Sequence, residues 1–295
     1  MNSSVPPASQ PRSPEILHSI AEARAAVRAA QRAGQRTGLV PTMGALHLGH
    51  RSLIERSCRE CNFTVVSIFV NPTQFAPHED FRQYPRTLAG DVDLMAGLPV
   101  DVIFAPTVAE MYPLGFDTFV DPGAIAEPLE GRFRPTHFRG VATVVLKLFQ
   151  CLPVDAAYFG QKDYQQALVI RRLVADLNVP ITIEVCPIVR EADGLALSSR
   201  NAYLSSADRR RATALSQALQ AADRMAQAGE RRTGPLLEAM RAVLEKVETI
   251  EIDYVAIVDP DTLREISTID RRAVALIAAR LGATRLIDNQ ILSVS

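Results

Sequence analysis

Gly38-Leu39-Val40-Pro41-Thr42-Met43-Gly44-Ala45-Leu46-His47-Leu48-Gly49-His50 is the stretch on which the reading of this chain turns. Residues 38–40 are short and apolar, residues 41–44 break the chain, and residues 49–61 return to helical periodicity through Leu53, Ile54 and Cys58. A strand, a loop and a helix therefore follow one another directly. His47 and His50, three residues apart at a helix start, fall on one face. Free backbone N–H groups and the positive end of the helix dipole attract anions there, and imidazole donors add directed hydrogen bonds to phosphate oxygens. Gly49 lets a nucleotide approach the backbone closely.

Outward from this stretch the pattern repeats. Ile16, Leu17, Ile20, Ala23, Val27 and Ala30 recur at helical spacing up to Gly34 and predict one amphipathic helix. Residues 63–70 form a β-branched run typical of a strand buried on both faces, and 100–105 and 155–159 are shorter strands of the same kind. Helical patterns at 87–96, 137–151 and 161–177 lie between them. The alternation predicts a parallel, doubly wound Rossmann-like α/β sheet with ligands gathered at the carboxyl ends of its strands. After a strand at 181–186 the character changes to a polar connector, two long helices at about 206–227 and 235–247, and strands at 254–258, 272–279 and 284–291. The expected organisation is a disordered leader over residues 1–14, a Rossmann-like domain over 15–186 and a smaller α+β C-terminal domain over 187–295.

Composition narrows the class. With 295 residues, 47% hydrophobic and 22% charged, the chain has the make-up of an ordinary globular protein of about two domains. Lysine and arginine number 32 against 33 acids, for a net charge of -1, so no global field favours nucleic acid or an anionic membrane. The arginines at 209–211 and 231–232 read as a solvated helix face. No apolar run approaches the roughly 18 residues of a spanning helix, and the Ser- and Pro-rich leader lacks the apolar core of a secretory signal. A soluble cytoplasmic protein is the expectation. Cys58, Cys61, Cys151 and Cys186 are too few and scattered for a disulfide framework, and the single C-x-x-C lacks a second pair or a nearby histidine at zinc spacing, so all four read as reduced thiols.

His47-Leu48-Gly49-His50 resembles the H-x-G-H signature of the nucleotidyltransferase superfamily, which includes class I aminoacyl-tRNA synthetases. Longer strings carry the resemblance further: 41–50, Phe69-Val70-Asn71-Pro72-Thr73-Gln74-Phe75, Tyr84-Pro85-Arg86-Thr87, Phe159-Gly160-Gln161-Lys162-Asp163-Tyr164-Gln165-Gln166, and Leu197-Ser198-Ser199-Arg200-Asn201. In order and spacing, over roughly residues 15–290, they resemble the pantoate–β-alanine ligase family. That resemblance implies an ATP-dependent, AMP-forming ligase acting through a pantoyl adenylate, a homodimer, and Mg2+ accompanying ATP. It implies His50, His47, Lys162 and Arg200 as catalytic groups. ATP would meet Met43, Gly44, His47, Gly49, His50, Gly160, Gln161, Lys162, Asp163, Val189, Leu197, Ser198, Ser199 and Arg200. Pantoate and β-alanine would meet Gln74, Gln166, Asn71 and Met43, with Arg134 and His137 as weaker carry-overs.

Residue chemistry agrees with these roles. Lysine, hydroxyls and a forked guanidinium suit a triphosphate and leaving pyrophosphate. Neutral amides hold a small hydroxy acid without a salt bridge that would blunt its carboxylate. Thr136 stands where the family more usually has glycine. Asp91 is a candidate metal carboxylate, but the metal site is left unassigned. A transferase that keeps the nucleotide on its product would need no paired glutamines, and a degenerate nucleotide sensor would be expected to lose the groups acting on the transition state. A tRNA synthetase would need an anticodon domain and a basic surface.

Overall fold

The computed structural model of the chain describes residues 13–76 and 79–294, so the expected leader lies almost wholly outside the described residues. In order, the first part runs β1 (Glu15–Leu17), α1 (Ile20–Arg32), β2 (Thr37–Thr42), α2 (Leu48–Glu60), β3 (Phe63–Ile68), α3 (Leu88–Leu94), β4 (Val102–Phe104), and the single-turn helices α4 (Val108–Met111) and α5 (Glu130–Phe133). It continues through α6 (His137–Cys151), β5 (Ala156–Gly160), α7 (Tyr164–Asp176) and β6 (Thr182–Cys186). These six strands form one parallel sheet in the order β1-β4-β3-β2-β5-β6. From β2 the chain winds through β3 and β4 to one side, then returns past β2 to lay down β5 and β6 on the other. The reversal between β2 and β5 opens a crevice at their carboxyl ends.

Successive strand residues feed opposite layers, as the pleat requires. Leu39, Val65 and Phe104 pack with Val27, Val145 and Leu148, whereas their neighbours Val40, Val66 and Ile103 pack with Ile54 and Tyr158. That two-sided burial is why the strands read as continuous apolar runs.

Two expectations are corrected. Ile16 and Leu17 belong to an edge strand paired with β4, not to the first helix. The helix starts only at Ile20, because the Ser19 side chain accepts from the Glu22 N–H and caps it there. The expected helix at 206–227 is two, α8 (Ser206–Arg211) and α9 (Thr213–Gln227), broken at Ala212. At the break Thr213 Oγ1 donates to the Arg210 carbonyl at 2.8 Å.

The remaining elements are α10 (Thr233–Leu244), β7 (Ile250–Val258), β8 (Arg272–Leu281) and β9 (Thr284–Ser293). The last three form an antiparallel sheet in that order, with Ala218, Leu219 and Ala222 of α9 and Leu236 and Met240 of α10 packed against it. Among the described residues no helix is long and apolar enough to cross a membrane.

Candidate functional site

The crevice at the switch point is floored by the start of α2. His47 is the N-cap of this helix, and its Nδ1 accepts from the Gly49 N–H at 3.1 Å. His50, at the third helical position, reciprocates: its Nδ1 accepts from the His47 N–H at 3.4 Å. This is a capping box in which imidazoles replace the usual hydroxyl and carboxylate. A ring nitrogen that accepts from a backbone N–H carries a lone pair, so the proton of each neutral ring sits on Nε2. The cap therefore fixes both histidines as N–H donors. Their rings lie 4.1 Å apart, and the missing Cβ of Gly49 would stand 2.8 Å from the His47 ring. What presses on Gly49 is thus the His47 imidazole.

Burial, with the charge of Lys162 and for His50 the neighbouring His47, lowers these rings from 6.5 to about 4 for His47 and about 3 for His50. Buried His137 falls to about 4, through burial and then Arg134. Unfolded imidazole titrates near 6.5. Between that value and the folded values the unfolded chain binds more protons, so stability falls as the pH is lowered from about 6.5 toward 4. Urea midpoints are expected to drop between pH 7 and pH 5, and less steeply in His50→Gln; identical slopes would contradict the assignment.

Ahead of the helix the loop turns through two left-handed residues, Gly44 at φ 81 and Ala45 at φ 50. Asp91, only 2% exposed, holds this turn: its carboxylate accepts from the Ala45 and Leu46 N–H groups at 3.2 and 2.7 Å. Burial raises its pKa against those two hydrogen bonds. Asp91, a candidate metal carboxylate on sequence, is therefore an anchor for the histidine loop. A Cβ on Gly44 would stand 3.0 Å from it.

The opposite wall rises from β5. Gly160 is open on its Cα face, with nothing within 4 Å of a built Cβ. Gln161–Asp163 form a 3-10 turn before α7, so the helix expected from Gln161 begins at Tyr164. Lys162 Nζ lies 3.8 Å from Asp163 Oδ1. Val189 and Leu197 come next along this wall, joined by a 3.0 Å hydrogen bond from the Leu197 N–H to the Val189 carbonyl. Ser198 Oγ accepts from the Arg200 N–H, and Ser199 Oγ donates to the Ala45 carbonyl at 3.1 Å, tying the second signature segment to the first.

At the far end Gln74 Nε2 lies 2.9 Å from Met43 Sδ, and Gln74 Oε1 accepts from Asn71 Nδ2 at 3.0 Å. Asn71, 1% exposed, also donates to the Gly140 carbonyl and accepts from Thr73 and Tyr112. Its polar atoms hold the Asn71–Gln74 turn at the cleft wall. His137 Nδ1 bonds the Gln74 carbonyl at 3.0 Å, and Arg134 sits between His137 and a two-point pair with Glu79. Thr136 has φ -99 and ψ -7, an ordinary right-handed conformation that needs no glycine. Gly140 is the tight point: an added Cβ would stand 2.3 Å from the Thr73 carbonyl oxygen and 2.7 Å from Gln74 Cα. Gly140→Ala is expected to displace the Gln74 turn and cost roughly 1–3 kcal/mol of stability; an unchanged urea midpoint would contradict this packing.

The structure brings Met43, His47, Gly49, His50, Asn71, Gln74, Gly160, Lys162, Asp163, Gln166, Val189, Leu197, Ser198, Ser199 and Arg200 to the wall of one cleft. Gly44 and Gln161 stand behind it: Gly44 makes the turn, and Gln161 Nε2 donates to Asn289 Oδ1. Sequence reasoning missed the supports. Gln165, beside Gln166, clamps the Glu130 N–H and the carbonyls of Ile125 and Pro128, and Asn289 reaches the Lys162 loop from β9. Gln165 lies inside the string 159–166 with no sign of this role, and Asn289 lies in no recognisable string.

The sequence model of the pantoate-beta-alanine ligase family matches residues 15–291, nearly all of the described chain. This chain belongs to that family. Pantothenate synthetase of Roseiflexus castenholzii is 56% identical over 277 residues, covering 94% of this chain and 99% of that protein. The crystal structure of pantothenate synthetase from Thermus thermophilus superposes with a TM-score of 0.89 at 46% identity, covering 94% and 98% of the two chains. A pantoate-beta-alanine ligase from Francisella tularensis, complexed with beta-gamma ATP and beta-alanine, gives a TM-score of 0.77 at 36% identity over 94% and 97%. Family membership accounts for a parallel sheet followed by a small antiparallel one.

Proposed function

We propose that the cleft holds ATP across the β2–β5 crevice and pantoate over Gln74 and Gln166, and that the residues act as follows in the ligation of pantoate to β-alanine. A carboxylate is a poor acyl electrophile, so the pantoate carboxylate first attacks the α-phosphorus of ATP, expelling pyrophosphate and forming pantoyl adenylate. The β-alanine amine then attacks the acyl carbon, AMP departs with the bonding pair of the broken C–O bond, and the nitrogen loses a proton to give the amide. Both steps call for alignment and charge neutralisation more than covalent participation. His47 and His50 donate through Nε2 to phosphate oxygens. Lys162 supplies a compact positive charge, and Ser198, Ser199 and Arg200 bind the β and γ phosphates. Gly160 leaves room for the ribose, Asp163 accepts from its hydroxyls, and Val189 meets the adenine through its backbone.

The observation that carries this reading is the imidazole capping box, which turns two N–H donors toward the cleft that also contains Lys162 and the glutamines. The donor set is rich in N–H groups and cations, so Mg2+ would fit as an ion carried in on the triphosphate and held by few protein ligands. When bound, it screens phosphate charge. Residues 187–295 form a lid over the Rossmann-like domain of residues 15–186, and the Ser199 bond to Ala45 is its closed contact, shutting water from the labile adenylate. The enzyme works in the cytoplasm as a homodimer, for which the exposed Leu114 and Val108 offer apolar surface. Light scattering reading one chain at working concentration would remove the dimer.

Purified protein given ATP, Mg2+ and pantoate, with and without β-alanine, is the direct test. Pantothenate formed one-to-one with AMP, and only with the amine, is the expected result. Pyrophosphate release with no amide would assign a nucleotidyl transfer instead.

A further inference from the structure

Strand β9 lies in a different sheet from every residue assigned to the chemistry, yet three of its side chains reach back to three walls of the cleft. Arg285 pairs with Glu130 beside the Arg134 wall, at 2.6 and 2.8 Å. Asp288, itself buried, makes a two-point pair with Arg190 at 2.7 and 2.9 Å, next to Val189. Asn289 goes furthest. Its Nδ2 donates to the carbonyls of both Gln161 and Lys162, at 3.0 and 2.9 Å, while its Oδ1 accepts from Gln161 Nε2 at 3.2 Å.

We propose that Asn289 is a positioning residue for Lys162: by fixing the two peptide planes on which that lysine stands, it aims the ammonium at the phosphates. The 3-10 turn Gln161–Asp163 precedes the first regular turn of α7, and its first two carbonyls both accept from the Asn289 amide. One primary amide meets two of them at once, which sets the orientation of both peptide planes and hence the Cα–Cβ direction of Lys162. Asn289 is 1% exposed and cannot swing away to water. Its own place is set by the Asp288 carboxylate, which accepts from the Asn289 N–H at 2.7 Å, by Arg190 Nη2, which donates to its carbonyl at 3.3 Å, and by a ten-residue ladder with β8. The amide touches no substrate. It acts only through the backbone of the lysine, and a displacement on the order of 1 Å at a charge acting on a transition state costs up to about a hundredfold in rate.

This inference rests on the placement of Lys162 at the phosphates, and the experiment separates the two. The full-length chain is assayed for pantothenate formation as wild type, Asn289→Ala, Lys162→Ala and the double variant. Asn289→Ala is expected to lower kcat about tenfold or more, with KM for ATP and pantoate within about twofold of wild type. In the Lys162→Ala background the same change is expected to do nothing further, because the group it aims is gone. Losses that multiply in the double variant would overturn the positioning role while leaving Lys162 in place. A Lys162→Ala enzyme with wild-type kcat would remove Lys162 from the chemistry, and this proposal with it. Should Asn289→Ala fail to fold, Gln161→Leu removes the donor that orients the Asn289 amide from a partly exposed position. It is expected to lower kcat about threefold in the wild-type background and not at all without Lys162; equal losses in both would overturn the proposal.

Discussion

His50→Ala is expected to lower kcat/KM for pantothenate formation about a thousandfold, or ~4 kcal/mol of transition-state stabilisation, the scale seen when one preorganised donor to developing charge is removed. The ring is neutral at working pH because burial holds its pKa near 3, so it serves as a dipolar donor and not as a cation. The geometry makes a sharper claim than loss of function. Glutamine is an ordinary third residue of a capping box, its Oε1 accepting from the N-cap N–H as His50 Nδ1 does, and its Nε2 then reaches toward the position of the imidazole Nε2. His50→Gln should retain at least tenfold more activity than His50→Asn, whose shorter amide cannot do both. The cap itself is worth about 1 kcal/mol, so all three variants stay folded at 25 °C, which circular dichroism checks. Full turnover by His50→Ala would take the residue out of the chemistry, and equal rates for the glutamine and asparagine variants would remove the tautomer argument.

Glu130→Ala is expected to destabilise the protein by about 3 kcal/mol, roughly 10 °C in melting temperature for a chain of this size. Glu130 is buried between the two sheets, taking two hydrogen bonds from Arg285 and one from the Tyr254 hydroxyl at 2.8 Å. Alanine takes the acceptor from the Tyr254 hydroxyl and one of two carboxylate partners from Arg285. The loss stays at the lower end of the range for buried pairs because Arg285 keeps Asp253 at 2.6 Å. The sign of the pH dependence follows. Burial pushes the Glu130 carboxyl up, but the hydrogen bonds and charge of Arg285, with Tyr254, outweigh it and the pKa lies below the usual value. Its contribution is therefore complete above about pH 4.3 and is lost as the pH falls through the lower folded value. The gap between variant and wild type should be full at pH 7 and narrow below about pH 4. A gap that widens in acid would mean that the carboxyl is protonated in the native state.

Much of the fold was legible because each central strand is buried on both faces and each helix between them is amphipathic, leaving a period that survives in one dimension. The helix over His137–Cys151 and the run from Phe63 were read nearly as they stand. β1 was not. Its three residues fit a helical spacing as well as a strand, and what decides between them is pairing with β4, 87 residues later for Ile16 and Ile103. The cleft was legible where its residues sit in short strings at strand ends, since a loop that binds phosphate must carry its donors close together. Its supports were illegible for the same physical reason as β1. Asp91, Gln165 and Asn289 act across gaps of 35 to 128 residues, and a single carboxylate or amide has no periodicity to announce it.

Because β9 reaches back to the turn after β5 and to the segments at Glu130 and Arg190, the order in which the protein is made matters to its site. The last strand of the parallel sheet ends at Cys186, and β9 begins at Thr284, about a hundred residues later. At roughly 5–20 residues per second a ribosome takes about 5–20 s to cover that distance. Throughout it the nascent chain carries a histidine loop and a crevice, while the segments at Glu130, Lys162 and Arg190 wait for their clamps. Catalytic competence thus arrives late in synthesis, after the sheet that houses it has already been translated.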